Sequence, residues 1–364
     1  MPRRGRVPGR AAMVLRLPPA ADIHVHLREP GETHKEDFAT GTAAALAGGV
    51  VTVLAMPNTR PPLTEPAAFH KALQRARQAA RCEVGLFLGG TAGNAETAAA
   101  LAGQAAGLKL YLDATYGPLR LEGLLALLRH FEAWPGPRPI AVHAEGRTVA
   151  MVLGLAALFR KPVHFCHVSR REEILLIRRA KEQGWPVTCE VTPHHLFLNE
   201  ADLPRLGPFG QMRPPLASRA DQEALWAHLP IIDAVATDHA PHTIEEKQGP
   251  NPPPGVPGLE TMLPLLLTAV AEGRLRLEEV VRLTATGPRR IFGLLEPPES
   301  AVEVEWGGPW TISREGLFTK CGWTPFEGMP VRARVRRVTL WGRVVFEDGR
   351  VLAPPGSGRV LFAA

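Results

Sequence analysis

The stretch Asp22-Ile23-His24-Val25-His26-Leu27-Arg28 decides how the rest of the chain is read. Polar and apolar residues alternate through it, which is the pattern of a strand. A strand's side-chain period of two puts His24 and His26 on one face, and Arg28 two residues on extends that face. Two imidazoles side by side on a rigid strand are half of a divalent-metal site, with Zn²⁺ the expected occupant. Taken alone, His-x-His is also the pattern of two surface histidines on an ordinary strand. The remainder of the chain adds weight, because further ligand-type residues stand at the ends of further strands.

Outward from this stretch the chain alternates strands with helices. Strands are expected at 23–25, 50–55, 84–88, 108–111, 140–142, 163–165, 187–189 and 234–236. Helical stretches separate them at 36–46, 65–80, 95–105, 121–131, 148–158, 171–183 and 220–227. Gly48 and Gly184 stand where left-handed helix caps are expected. Eight strands with intervening helices predict an α/β fold, a (β/α)₈ TIM-type barrel over 20–295. A doubly wound open sheet fits less well, since no Gly-rich phosphate turn follows the first strand. The Pro- and Gly-rich run 249–258 reads as an ordered loop over one barrel mouth. Helices at 259–271 and 277–286 follow it, ending near Gly287-Pro288. Alternating patterns in 331–337, 338–341 and 344–346, with a turn at Asp348-Gly349, predict a small β-sandwich from 13–19 plus 296–356. A basic leader (1–12) and a tail or linker (357–364) complete the chain.

Composition narrows the class. The 364 residues are 45% hydrophobic, enough for a large core, and carry a net charge of +6. Much of the positive excess sits in Arg3 to Arg10 and Arg332 to Arg337, with no aromatics interleaved, which reads as solvated surface and not as a nucleic-acid face. Cys82, Cys166, Cys189 and Cys321 show no paired spacing, which fits a reducing, cytoplasmic compartment better than a disulfide framework. No apolar run reaches the roughly 18 residues of a membrane helix. The leader lacks the apolar core of a secretory signal, and its prolines break the helix of a transit peptide.

Active sites of such barrels lie at the C-terminal ends of the strands. Those ends carry His24 and His26, then Asn58, Lys109, His143, Cys166-His167, Glu190 and Asp238. Lys109 lies among apolar neighbours, where desolvation favours the neutral amine, and a neutral amine can add CO₂ to become an anionic carbamate that bridges two metals. Taken singly, His143 and His167 each read more readily as hydrogen-bonded core histidines than as ligands, and Asp238 can be read as a helix N-cap. As a functional residue Asp238 would ligate metal and shuttle a proton. Cys166 and Glu190 have no role on this reading alone.

Three motifs then resemble a known family: His24-Val25-His26-Leu27-Arg28-Glu29-Pro30-Gly31, Ala55-Met56-Pro57-Asn58-Thr59-Arg60-Pro61 and Ala236-Thr237-Asp238-His239-Ala240-Pro241-His242. Together they look like dihydroorotase of the amidohydrolase superfamily, closest to the dihydroorotase domain of the multifunctional animal protein of pyrimidine synthesis. The likeness runs from about Val14 to Gly356 and includes His34-Lys35-Glu36-Asp37-Phe38 and Pro193-His194-His195-Leu196-Phe197-Leu198. It implies one zinc on His24, His26, carboxylated Lys109 and Asp238, and a second on Lys109, His143 and His167. In the animal enzymes a third zinc is held by the equivalents of Cys166 and Glu190, with His143 shared as a histidinate. Arg28, Asn58 and His242 would bind the substrate carboxylate, while Arg213 and the Pro254-Gly255 backbone orient the ring. The loop Asp113-Ala114-Thr115-Tyr116 would be a lid, with Asp238 as proton shuttle. A homodimer is implied, as is a longer chain carrying carbamoyl-phosphate synthetase and aspartate transcarbamylase.

Two positions depart from the family pattern. Pro19-Ala20-Ala21 stands where Gly-Leu-Ile is usual, which leaves less apolar volume at the barrel floor. Tyr116 replaces the usual Phe and adds a hydroxyl that must find water or a partner. A dihydropyrimidinase or hydantoinase shares the metal site, but Arg28 and Asn58 would meet no carboxylate on its neutral ring. A non-catalytic scaffold is at odds with six intact ligands.

Overall fold

Short apolar, β-branched runs buried on both faces are the signature of parallel barrel strands, and the computed structural model places them where the alternation does. It describes residues 13–362; the basic leader 1–12 and residues 363–364 lie outside the described residues. Strand β1 (Met13–Leu17) precedes the barrel. The barrel strands are β2 (Ala20–Val25), β3 (Val50–Ala55), β4 (Glu83–Leu86), β5 (Leu88–Gly89), β6 (Leu108–Tyr111), β7 (Ile140–His143), β8 (Val163–Phe165), β9 (Val187–Val191) and β10 (Ala234–Val235). β2 and β3 are buried at every residue.

The third expected strand, 84–88, is broken at Phe87 and serves two neighbours. β4 pairs with β3, while β5 pairs with β6, and parallel pairing continues from β6 to β10. A bridge between Val25 and His239, with His26 N donating to His239 O at 2.7 Å, joins the first strand to the last.

After the barrel come β11 (Ala301–Thr311), β12 (Pro330–Leu340), β13 (Arg343–Glu347), β14 (Arg350–Val351) and β15 (Arg359–Val360). The chain ends form one five-stranded antiparallel sheet, in the order β1-β11-β12-β13-β14. The layer packed on it is the helix Met262–Ala271, whose Leu263, Leu266 and Leu267 share a core with Val302, Val304, Ala333 and Val338.

The tail corrects the linker expected at 357–364. β15 pairs in parallel with β4, Arg359 opposite Glu83 and Val360 opposite Val84. Because β5 swings away to β6, this edge of β4 has unpaired backbone groups that another strand must satisfy. Half-buried Phe362 packs against the cluster that holds Phe87, Phe292 and Ile23, with the Arg138 guanidinium 4.0 Å from its ring centre.

Helix ends differ from expectation at two places. Gly48 is right-handed (φ −82°), and Gly49 takes the left-handed turn (φ +79°). Gly48 instead permits close approach, since a Cβ there would lie 2.1 Å from Leu259 O. Gly287-Pro288 begins the helix Gly287–Phe292 and does not end one: a π-helical turn at Arg282–Thr286 accommodates the proline's missing N–H. Among the described residues no helix is long and apolar enough to cross a membrane.

Candidate metal centre and active site

His24 is the last residue but one of β2 and His26 lies one residue past its end, and both reach Asp238 beyond β10. Their Nε2 atoms stand 3.3 and 3.0 Å from Asp238 Oδ1. A buried carboxyl braces this junction: Asp22 accepts from His24 N (3.2 Å), Thr237 N (3.1 Å) and Thr237 Oγ1 (2.5 Å). Burial pushes Asp22 up to about 7. Arg28 (φ +58°), His167 (+35°) and Asp238 (+46°) adopt left-handed backbone, which non-glycine residues rarely do. Arg28 therefore faces the site because of a turn, and the strand alternation expected to carry it there stops at Val25.

The electrostatics favour a cation. Asn58 Nδ2 donates to Tyr116 O at 3.1 Å, which aims Asn58 Oδ1 at His26 Nδ1, 2.7 Å away, so that nitrogen donates. Burial, against the pull of Asp238, draws His26 down to about 4, which leaves a lone pair on Nε2. Burial raises the Asp238 carboxyl, but His24, His26 and His167 outweigh it and hold it well below the usual range. A lone pair and a carboxylate 3.0 Å apart are complementary to a cation between them. Burial lowers His24, yet Asp238 and Glu190 on either side carry it up to about 10.

Nitrogen, oxygen and sulfur donors surround this point, a set suited to zinc. His24, His26 and Asp238 form one group with ligand atoms within 4.8 Å, and His24, Cys166 and Glu190 form another. Glu190 accepts from His24 Nδ1 at 2.5 Å and lies 3.0 Å from His164 Nε2. The shared imidazole of a third site would thus be His24, correcting the expectation of His143. His143 Nδ1 instead lies 2.9 Å from His167 Nε2, with its own Nε2 3.3 Å from Glu145. Burial lowers both His143 and His167, and His167 Nδ1 is buried with no hydrogen-bond partner. Lys109 is fully buried, donates to Cys166 Sγ at 2.9 Å, and lies close enough to bear on the charges of His24, His143 and His167.

A small, narrow cavity opens over these groups. Arg28, Asn58 and Arg213 line it with the Pro254-Gly255 backbone, and Thr115 and Tyr116 stand at its mouth. Arg28 Nε donates to Pro241 O (3.0 Å), and its Nη2 lies 3.1 Å from His242 Nε2, which also lies 3.0 Å from Pro254 O. Burial and then Arg28 hold His242 far below the usual imidazole range. Lys109, Cys166, Glu190 and His242 sit behind the cavity wall.

Sequence reasoning missed several supports. His164, in β8, and Cys166, one residue past its end, are two residues apart and both lie against Glu190, a period-two signal that was legible. Tyr111 and Ala240 line the cavity without any sequence cue. Asp113 accepts from Glu145 N (2.8 Å) and Thr148 Oγ1 (3.2 Å), so it anchors the loop that follows it.

A family model described as "Dihydro-orotase-like" matches residues 14–114. The dihydroorotase of Pyrococcus abyssi is 36% identical over 368 residues, covering 95% of this chain and 87% of that protein. The chain belongs to the dihydroorotase family. The multifunctional protein CAD of Squalus acanthias is 54% identical over 347 residues, 95% of this chain; the chain spans 16% of that protein's length. Among solved structures, the L-hydantoinase (dihydropyrimidinase) of Arthrobacter aurescens superposes with a TM-score of 0.89 at 26% identity, covering 95% of this chain and 88% of that one. The family shares its barrel with hydantoinases, so substrate choice rests on the cavity wall and not on the fold.

Proposed function

We propose that this chain catalyses the reversible, zinc-dependent cyclisation of N-carbamoyl-L-aspartate to L-dihydroorotate in de novo pyrimidine synthesis. The observation that carries this reading is Arg28, a buried guanidinium on the cavity wall beside the His24, His26 and Asp238 donors. Dihydroorotate offers that cation a carboxylate; a dihydropyrimidine or hydantoin ring does not.

His24, His26, Asp238 and carboxylated Lys109 would hold one zinc, Lys109, His143 and His167 a second, and His24, Cys166 and Glu190 a third. Bound there, zinc supplies charge that polarises the ring amide carbonyl and acidifies water. In the hydrolytic direction Asp238, held ionised, takes the proton of the attacking water and delivers it to the departing ring nitrogen; synthesis reverses both transfers. Asn58 orients the His26 imidazole. Arg28 and Asn58 hold the α-carboxylate, His242 supports the Arg28 guanidinium from behind the wall and not the carboxylate expected of it, Arg213 and the Pro254-Gly255 backbone orient the ring, and Thr115 and Tyr116 close over it. Ring closure consumes one carboxylate and a proton and releases water, so cyclisation gains as pH falls.

The relatives that are far longer support a setting within a larger chain; carbamoyl-phosphate synthetase and aspartate transcarbamylase are the further activities proposed for it. Exposed Leu124, Leu125, Met151 and Leu158 support a homodimer, and four free, buried cysteines support a cytoplasmic site of action. An inert scaffold is the weaker reading, because the ligand-type residues converge.

The test measures zinc content together with turnover of dihydroorotate and dihydrouracil on one sample. Discrimination by a site built for a charge reaches about 10⁴-fold, and Arg28→Met should erase most of it while zinc is kept. Comparable rates on both rings in the wild type would replace this reading with a dihydropyrimidinase.

A further inference from the structure

Lys247 is fully buried, yet among the described residues its ammonium pairs with no carboxylate. Its Nζ donates to three backbone carbonyls: Gln211 (3.1 Å), Pro253 (2.9 Å) and Gly255 (3.2 Å). The Trp323 ring centre lies 5.6 Å from Nζ, and Trp323 Nε1 donates to His242 O at 2.7 Å. Three donors thus meet three acceptors, the full capacity of an ammonium.

Those carbonyls belong to two loops that meet at the cavity. Gln211 stands two residues before Arg213, and Pro253 and Gly255 flank Pro254. Gly255 N also donates to Gln211 O at 2.9 Å. Gly255 has φ +140°, and a Cβ there would lie 2.5 Å from Ala240 O, so the loop runs hard against the cavity wall with no play on that side. Burying a charge without a counter-charge is costly, and an apolar side chain of similar length would fill the space without that cost. What lysine adds is direction. Burial, then the Arg28 charge, draws the amine down to about 7, and the neutral amine would still keep two of the three bonds.

We propose that Lys247 is a positioning residue of this site: it ties segment 211–213 to segment 253–255 and so preforms the wall that receives the substrate ring. The ring itself rests on the dihydroorotase reading above; the tie does not. Without the tie, a bound ligand must order the loops itself, a cost that appears in binding and not in proton transfer at Asp238.

Lys247→Met and Lys247→Gln are to be compared with wild type by amide hydrogen exchange over 249–258, by zinc content, and by KM and kcat on dihydroorotate. Lys247→Met should speed exchange in that loop and raise KM by about tenfold or more, with kcat within about threefold and zinc unchanged. Lys247→Gln, whose amide reaches two carbonyls, should fall between; if the Met variant does not fold, the Gln variant decides. Exchange and KM both at wild-type values would overturn the proposal. So would a lowered melting temperature with unchanged KM, because Lys247 would then serve packing alone. Exchange needs no substrate, so a wild type that fails to turn over dihydroorotate would sink the functional reading while the tie is still tested.

Discussion

The Tyr116 hydroxyl donates to Glu32 Oε1 at 2.5 Å, across the mouth of the cavity, and Lys35 Nζ donates to that hydroxyl at 2.7 Å and to the same carboxylate oxygen at 2.8 Å. Glu32 and Lys35 are both buried. This is the partner that the extra hydroxyl required.

Tyr116→Phe should therefore weaken lid closure and little else. A hydrogen bond to a charged group contributes about 1.5–3 kcal/mol when fully formed, and half-burial reduces that, so KM for dihydroorotate should rise by roughly three- to tenfold. Zinc content should not change. Kinetics identical to wild type would remove the hydroxyl from closure.

Lys109, once carboxylated, would be the anionic bridge of the proposed centre. Lys109→Ala should abolish turnover and lower zinc by at least one ion per chain, with partial return of activity on adding a short carboxylate. An active, zinc-replete variant would contradict the binuclear arrangement.

Cys166 and Glu190 converge on His24. Wild type should then bind three zinc ions per chain and Cys166→Ser fewer, read by elemental analysis. Two ions in both proteins would return Cys166 to a packing role.

Glu260 accepts from Phe318 N (2.9 Å) and Thr319 N (3.1 Å), and burial pushes its carboxyl from 4.5 up to about 7. The folded state thus holds this proton more tightly than the unfolded chain. Its contribution to stability is full below pH 4.5 and is lost as pH rises through about 7, at most about 3 kcal/mol before solvent screening. The stability of Glu260→Gln relative to wild type should grow between pH 5 and pH 8 in denaturant titrations. A difference that does not vary with pH would show that Glu260 is already ionised throughout.

A chain stopped after Gly356 loses β15 and Phe362. Removing that strand pairing and one packed aromatic should cost about 2–4 kcal/mol and lower the melting temperature by several degrees. An unchanged melt would make the tail dispensable.

The barrel strands, apart from the break of the third at Phe87, and the ligand-type residues at their ends were determined by the sequence alone, because apolar runs, a period of two and strand-end placement are local properties of the chain. His24 and His26 share a face for that reason. The family motifs pointed to the same residues. Other features depend on which distant segments meet in space, which no local pattern encodes. Arg28 reaches the cavity through a left-handed turn, and His24, not His143, stands between Asp238 and Glu190. β15 fills an edge of β4 that exists because β5 turns to a different neighbour. Lys247 looks like an ordinary surface lysine in Glu245-Glu246-Lys247, and becomes a tie only when two loops bring their carbonyls to it. Tertiary structure decided these because burial removes water as a partner, leaving each polar group to be satisfied by whichever part of the fold lies beside it.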